Sequence, residues 1–123
     1  MYIYSNENPD GSHIPDCVTR AITKALGMNY YDVVSMLKYN ANYLQCDCLN
    51  VRCYEKLLDY DFNLPHYIGD GSTASEIAND FPNNILLLRM EGHLSCAMYG
   101  DIYDIWDCSD EIITDFWIIR DNI

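Results

Sequence analysis

The apolar residues of this chain change their period once, at Pro82-Asn83-Asn84, and that change sets the order in which secondary structure can occur. Ahead of it the spacing is helical. Val18, Ala21, Ile22, Ala25 and Leu26 recur at three and four positions, Gly27 supplies a stop, and Asp16 stands where an N-cap belongs. A second stripe runs through Tyr31, Val34, Met36, Leu37 and Ala41, and a third, behind a capping Asn50, through Val51, Tyr54, Leu57 and Leu58. Pro65 closes this helical half, and Thr73-Ala74-Ser75-Glu76 has capping-box spacing for a short helix over 74–81. Behind Asn84 come short apolar runs, Ile85 to Met90, Leu94 to Tyr99, Ile102 to Trp106 and Phe116 to Ile119, which read as strands. Gly100-Asp101 predicts a two-residue hairpin loop between the second and third. The turn formers Asn6, Asn8, Pro9, Gly11, Ser12 and Pro15 predict an extended entry loop over the first sixteen residues. Helices first and strands afterwards imply an α+β fold, N-terminal helices packed on a C-terminal antiparallel β-sheet. At 123 residues the chain has room for one core, so 1–123 is read as a single domain.

Charge narrows the partners. With 7 Lys and Arg against 19 Asp and Glu the formal charge is −12, which argues against nucleic acid and favours a cationic partner or substrate, such as a basic peptide. No apolar run reaches the roughly 18 to 20 residues of a membrane span, and Met1-Tyr2-Ile3-Tyr4-Ser5-Asn6-Glu7 lacks the regions of a signal peptide. The expectation is a cytoplasmic protein with no membrane partner, whose six cysteines are free thiols.

Three residue types in this order can carry nucleophilic chemistry. Cys17 falls in the first turn of the first predicted helix, where unpaired N–H groups and the helix dipole favour a thiolate. His93 opens a strand behind Gly92 and can project from the strand end toward another element. His13, in the entry loop near Cys17, remains a candidate base, whereas His66 lies on no predicted element. The next strand returns past Gly100-Asp101 and brings Asp107 level with His93, placing a carboxylate to hold the imidazole. Asp104 lies three residues earlier and so on the opposite side of that strand; strand phase alone does not choose between the two. The bland alternatives are a buried inert thiol, a surface histidine and a solvated turn carboxylate.

Asn8-Pro9, Asp16-Cys17-Val18-Thr19-Arg20-Ala21-Ile22, Gly92-His93-Leu94 and Ile102-Tyr103-Asp104-Ile105-Trp106-Asp107-Cys108-Ser109-Asp110 together resemble a family of small papain-like cysteine peptidase-type proteins of phages, prophages and gut bacteria. The likeness runs from the entry loop to Trp117 and is thin over 28–77. It implies a reduced papain-like fold with Cys17 as nucleophile, His93 as general base and acid, and Asp107 as orienter. It also implies an oxyanion site made by the Cys17 N–H and an upstream side-chain amide. Such enzymes commonly use a Gln there; this loop has none, so Asn8 or Asn6 stands in. Tyr103 and Trp106 flank the proposed site and are expected to line a substrate groove.

Asp16 would raise the Cys17 pKa if it pointed at the sulfur, but as an N-cap it turns to the backbone, and Arg20, one turn on, is its natural partner. Cys46-Asp47-Cys48 with Cys53 has poor spacing for structural zinc, Cys96 is expected in the core, and Cys108 is a half-exposed neighbour of the site. No metal or cofactor is expected. The leading expectation is a cysteine hydrolase, a peptidase or amidohydrolase working through a Cys17 thioester on a peptide or protein substrate. The competing one is a non-enzymatic acidic phage or mobile-element protein that blocks a host factor, or a virion component.

Overall fold

A computed structural model describes residues 1–119; the last four residues of the single-domain reading lie outside the described residues. Among the described residues, four α-helices and six strands form three layers, α1–α3 on one face of a central sheet and α4 on the other. The fold is α+β.

Helix α1 (Cys17–Leu26) ends at Gly27, whose φ of +63° is the left-handed conformation a helix stop requires. Helix α2 (Tyr30–Leu44) begins at Asn29, whose side chain accepts from the Tyr31 and Asp32 N–H groups, and runs to Gln45. Helix α3 (Val51–Lys56) is capped by Asn50 and passes into a π-helical turn, Leu57–Asp61. Helix α4 (Ala74–Asp80) carries the capping box, with Thr73 and Glu76 each bonding the other's main-chain N–H.

The sheet runs in the order β1-β5-β4-β3-β6-β2. Strands β3 (Ile85–Met90), β4 (His93–Met98), β5 (Asp101–Asp104) and β6 (Asp115–Ile119) fall where the apolar runs predict them. Strand β3 reads as a near-continuous apolar run, interrupted by Arg89, because both its faces are covered. Leu87 packs with Ile22, Val33, Leu58 and Trp117 under α1–α3, while Leu86 and Leu88 pack with Ile77, Ile113 and Phe116 under α4.

Two expectations are corrected. The sheet is mixed, because the entry segment contributes β1 (Tyr2–Tyr4), which pairs parallel with β5. A three-residue edge strand, β2 (His66–Ile68), also pairs antiparallel with β6. The β4–β5 loop is Tyr99-Gly100 rather than Gly100-Asp101: Met98 pairs with Asp101, and Tyr99 and Gly100 take φ of +54° and +88°. Positive φ at both loop residues is the geometry that matches the right-handed twist of the flanking strands.

Candidate active site

Cys17 begins α1 and is half-buried. Asp16 precedes it at the N-cap position, yet its side chain caps nothing. One carboxylate oxygen pairs with the Arg20 guanidinium; the other accepts from the Tyr30 hydroxyl at 2.6 Å and from the Asn8 amide at 3.0 Å. The expectation that Asp16 turns to the helix backbone is therefore corrected, because the buried Arg20 and Asn8 side chains and the half-buried Tyr30 hydroxyl claim both oxygens. The consequence is favourable for a thiolate. The Asp16 charge is matched by Arg20, and the first-turn N–H groups beside Cys17 keep no side-chain cap.

His93 starts β4 directly after Gly92, whose φ of +69° closes the β3–β4 turn. Its Nε2 lies 2.6 Å from Asp104 Oδ2. Asp104 is only 5% exposed. Its other oxygen accepts from the Ile105 N–H at 2.7 Å and faces Arg20 Nη2 at 3.6 Å, and the buried Cys108 Sγ donates to Oδ2 at 3.7 Å. Because Asp104 occupies Nε2, the nitrogen left for the Cys17 thiol is Nδ1.

The charges of the three groups support one another. Burial resists ionisation of Cys17, but the neighbouring His93 imidazole, the Leu94 N–H and the positive charge of Arg20 outweigh it and lower the thiol below its ordinary range. Burial likewise opposes the imidazolium, yet the Asp104 carboxylate, then the Cys108 and Cys17 sulfurs, raise His93 to about 11. Asp104 is held below the usual carboxylate range despite burial, chiefly by His93. The Ser95 hydroxyl, which finds no partner of good geometry, lies near enough to add to this. All three shifts run toward the charged forms, imidazolium on His93, carboxylate on Asp104 and thiolate on Cys17.

Five of the sequence-predicted site residues do not stand where they were expected. Asp107 is not beside His93; its carboxylate accepts from the Ser109 N–H at 3.0 Å in a solvent-exposed turn. The cause is the loop position. With Tyr99-Gly100 as the turn, Cys96 pairs with Tyr103, so the next pair sets Ser95 against Asp104, and His93 and Asp104 become diagonal neighbours on one face. Asn8 is buried but its amide is committed to Asp16 and, at 3.4 Å, to the Tyr30 hydroxyl. Asn6 donates to the Ser12 carbonyl at 3.2 Å and accepts from the Asn8 N–H, so it holds the entry loop together. Both amide N–H groups of Asn8 are taken, and neither Asn8 nor Asn6 lines the cleft that holds Cys17 and His93.

Tyr103 and Trp106 do not line the main cleft. The Tyr103 ring lies under Lys24 at 4.6 Å, and Trp106 leans against the His93 ring with centroids 5.0 Å apart. The cleft itself is a cavity of about 520 Å³ with Cys17 and His93 in its wall, and Val18, Val34, Leu37, Leu49 and Met90 make much of the remainder. His13 bonds the Tyr4 hydroxyl at 3.2 Å, and His66 lies between Asp59 and Asp115, so neither stands in for His93. Cys108 is fully buried rather than half-exposed.

Sequence reasoning paired Arg20 with Asp16 but missed that the same guanidinium also reaches Asp104 and so joins the helix to the strand. Among the described residues one trio, His93, Asp104 and Cys108, has donor atoms close enough to share a metal ion. A metal there would have to displace the 2.6 Å His93–Asp104 hydrogen bond. Comparison with known proteins adds nothing to this geometry: no protein-family model matches the chain, and neither the curated proteins nor the solved structures contain a significant match.

Proposed function

We propose that this protein is a papain-like cysteine hydrolase cleaving an amide or related acyl bond, with Cys17 as nucleophile, His93 as base and acid, and Asp104 as orienter. The observation that carries the reading is the His93 imidazole held by buried Asp104 at 2.6 Å, with His93 and the helix-start Cys17 both in the wall of an open cleft. The Cys17 thiolate attacks the acyl carbonyl, and the oxyanion is met by the uncapped main-chain N–H groups of the first turn of α1. His93, protonated by its pairing with the thiol, gives its proton to the leaving amine and leaves a Cys17 thioester. Water then attacks the thioester as His93 takes its proton, releasing the acid and restoring the thiolate–imidazolium pair. The apolar cleft wall favours a substrate with an apolar side chain beside the scissile bond, and the overall charge of −12 favours a basic peptide around it.

The test is site-resolved alkylation of the cysteines across pH, in the native protein and in His93→Ala. Fast labelling of Cys17 near pH 6 that the substitution abolishes supports the reading. Labelling of Cys17 that rises only near the ordinary thiol pKa of about 8.5, unchanged in the variant, overturns it. The acidic blocker remains the second reading, since the charge of −12 fits it equally well. Its effect on a host factor would survive Cys17→Ala.

A further inference from the structure

Away from Cys17 the chain holds a second pair of thiols that the proposed reaction does not use. Cys46 follows the end of α2, its N–H bonded to the Ala41 carbonyl at 3.0 Å. Cys53 lies in the first turn of α3 behind the Asn50 cap. Their sulfurs are 3.4 Å apart, and Cys53 Sγ also donates to the Asp47 carbonyl at 3.3 Å. The intervening turn is self-bonded, Leu49 N–H to Asp47 Oδ1 at 2.8 Å and Asn50 N–H to the Asp47 carbonyl at 2.9 Å, so both cysteines are presented from fixed ends. Cys46 is half-buried and open to a small reagent, whereas Cys53 is fully buried. Cys48, on the same turn, is exposed. Among the described residues, no third ligand atom lies close enough to this pair to complete a metal site, so its chemistry is that of two sulfurs.

We propose that Cys46 and Cys53 are a modification site, a dithiol that a low-molecular-weight disulfide such as oxidised glutathione converts reversibly to an intramolecular disulfide. The Cys46 thiolate attacks the glutathione disulfide, forms a mixed disulfide and expels one glutathione thiolate. The Cys53 thiolate then attacks the Cys46 sulfur and expels the second. Two protein thiols are oxidised, one disulfide is reduced to two glutathione molecules, and the two thiol protons pass to them. The sulfurs need to close from 3.4 Å to about 2.05 Å, a shift that side-chain rotation and a small movement of the turn supply. The turn between them carries Cys48 and Leu49, and these with Val51 form part of the cleft wall. Oxidation therefore pins one wall of the cleft in which Cys17 lies.

The experiment uses the full chain with Cys17→Ala, so that the more reactive thiol does not compete and the outcome is independent of whether the site is catalytic. The protein is equilibrated with oxidised and reduced glutathione, quenched, alkylated and mapped by mass spectrometry. The expected result is paired loss of the Cys46 and Cys53 thiols in one cross-linked peptide, unchanged by Cys48→Ser and reversed by dithiothreitol. Hydrogen exchange over 47–52 should slow by about threefold or more in the oxidised form. Glutathione adducts on single cysteines without a cross-link, or a cross-link that requires Cys48, would overturn the assignment. Unchanged exchange over 47–52 would overturn the pinning of the wall.

Discussion

Asp104 and Asp107 make the sharpest comparison at the scale of single residues. Both are held below the ordinary carboxylate range, Asp104 by its hydrogen bond to His93 against the cost of burial and Asp107 by Ser109 in open solvent. Removing the negative charge from Asp104 removes what stabilises the imidazolium, so Asp104→Asn should slow Cys17 alkylation near pH 6 by tenfold or more, on the order of 10⁴ for any turnover. Asp107→Asn should leave both rates unchanged and alter stability by less than about 0.5 kcal/mol. Alkylation kinetics of the two variants side by side decide the orienter. A second prediction concerns pH. The folded-state pKa of His93, raised to about 11, exceeds its unfolded value of about 6.5, so its contribution to stability is complete below about pH 6.5 and fades as pH rises toward about 11. Asp104, lowered on folding, contributes above its unfolded pKa near 3.9 and loses that contribution as pH falls. Denaturant unfolding of the native protein and His93→Gln should therefore diverge most between about pH 4 and 6.5 and converge at alkaline pH. Cys17 and His93 were both readable from sequence as a helix start and a strand start. The choice between Asp104 and Asp107 was not, because it hangs on whether the hairpin turns at Tyr99-Gly100 or one residue later. A non-glycine residue at φ of +54° in a turn leaves no clear mark in the sequence.

Among the elements, α1 is fastened to the sheet by a buried charge chain as well as by its apolar stripe. Arg20, 4% exposed, joins Asp16 at the head of the helix to Asp104 at the end of β5. Arg20→Met would fill the volume but leave the buried Asp16 carboxylate with only the neutral Tyr30 and Asn8 donors, at a cost of about 3–5 kcal/mol. Urea unfolding should show this as a lower midpoint with an unchanged slope. The same variant should raise the pH at which Cys17 becomes reactive, since a positive charge acting on the thiolate is lost. At the opposite end of the fold, Thr73→Ala removes one half of the α4 capping box and should cost about 1 kcal/mol without touching Cys17 reactivity. The helices and the four longer strands were legible because each has enough residues to display a period. Strands β1 and β2 were not, for three residues of Tyr, Ile and His show no alternation, and their pairing is made by partners about 50 to 100 positions away.

For the molecule as a whole, a charge of −12 on 123 residues is a standing self-repulsion. Screening it should stabilise the fold, and raising sodium chloride from about 10 mM to 0.5 M should lift Tm by a few degrees, in contrast to a protein held chiefly by surface ion pairs. A thermal scan at graded ionic strength measures it; a fall in Tm would mean that the ion pairs, those of Arg20 with Asp16 and of Arg89 with Glu55 and Asp115 among them, outweigh the general repulsion. The parallel partnership of β1 with β5 sets Tyr2 against Ile102, about 100 residues apart in sequence. At a synthesis rate of about 5–20 residues per second, the opening strand waits on the order of 5–20 s after leaving the ribosome before its partner exists. The entry loop that follows β1, with Asn8 bonded to Asp16 beside Cys17, acquires its anchor to the sheet only at that late moment. Between the synthesis of Cys17 and that of Asp104 the nascent chain therefore carries the thiol without the carboxylate that organises the charge around His93.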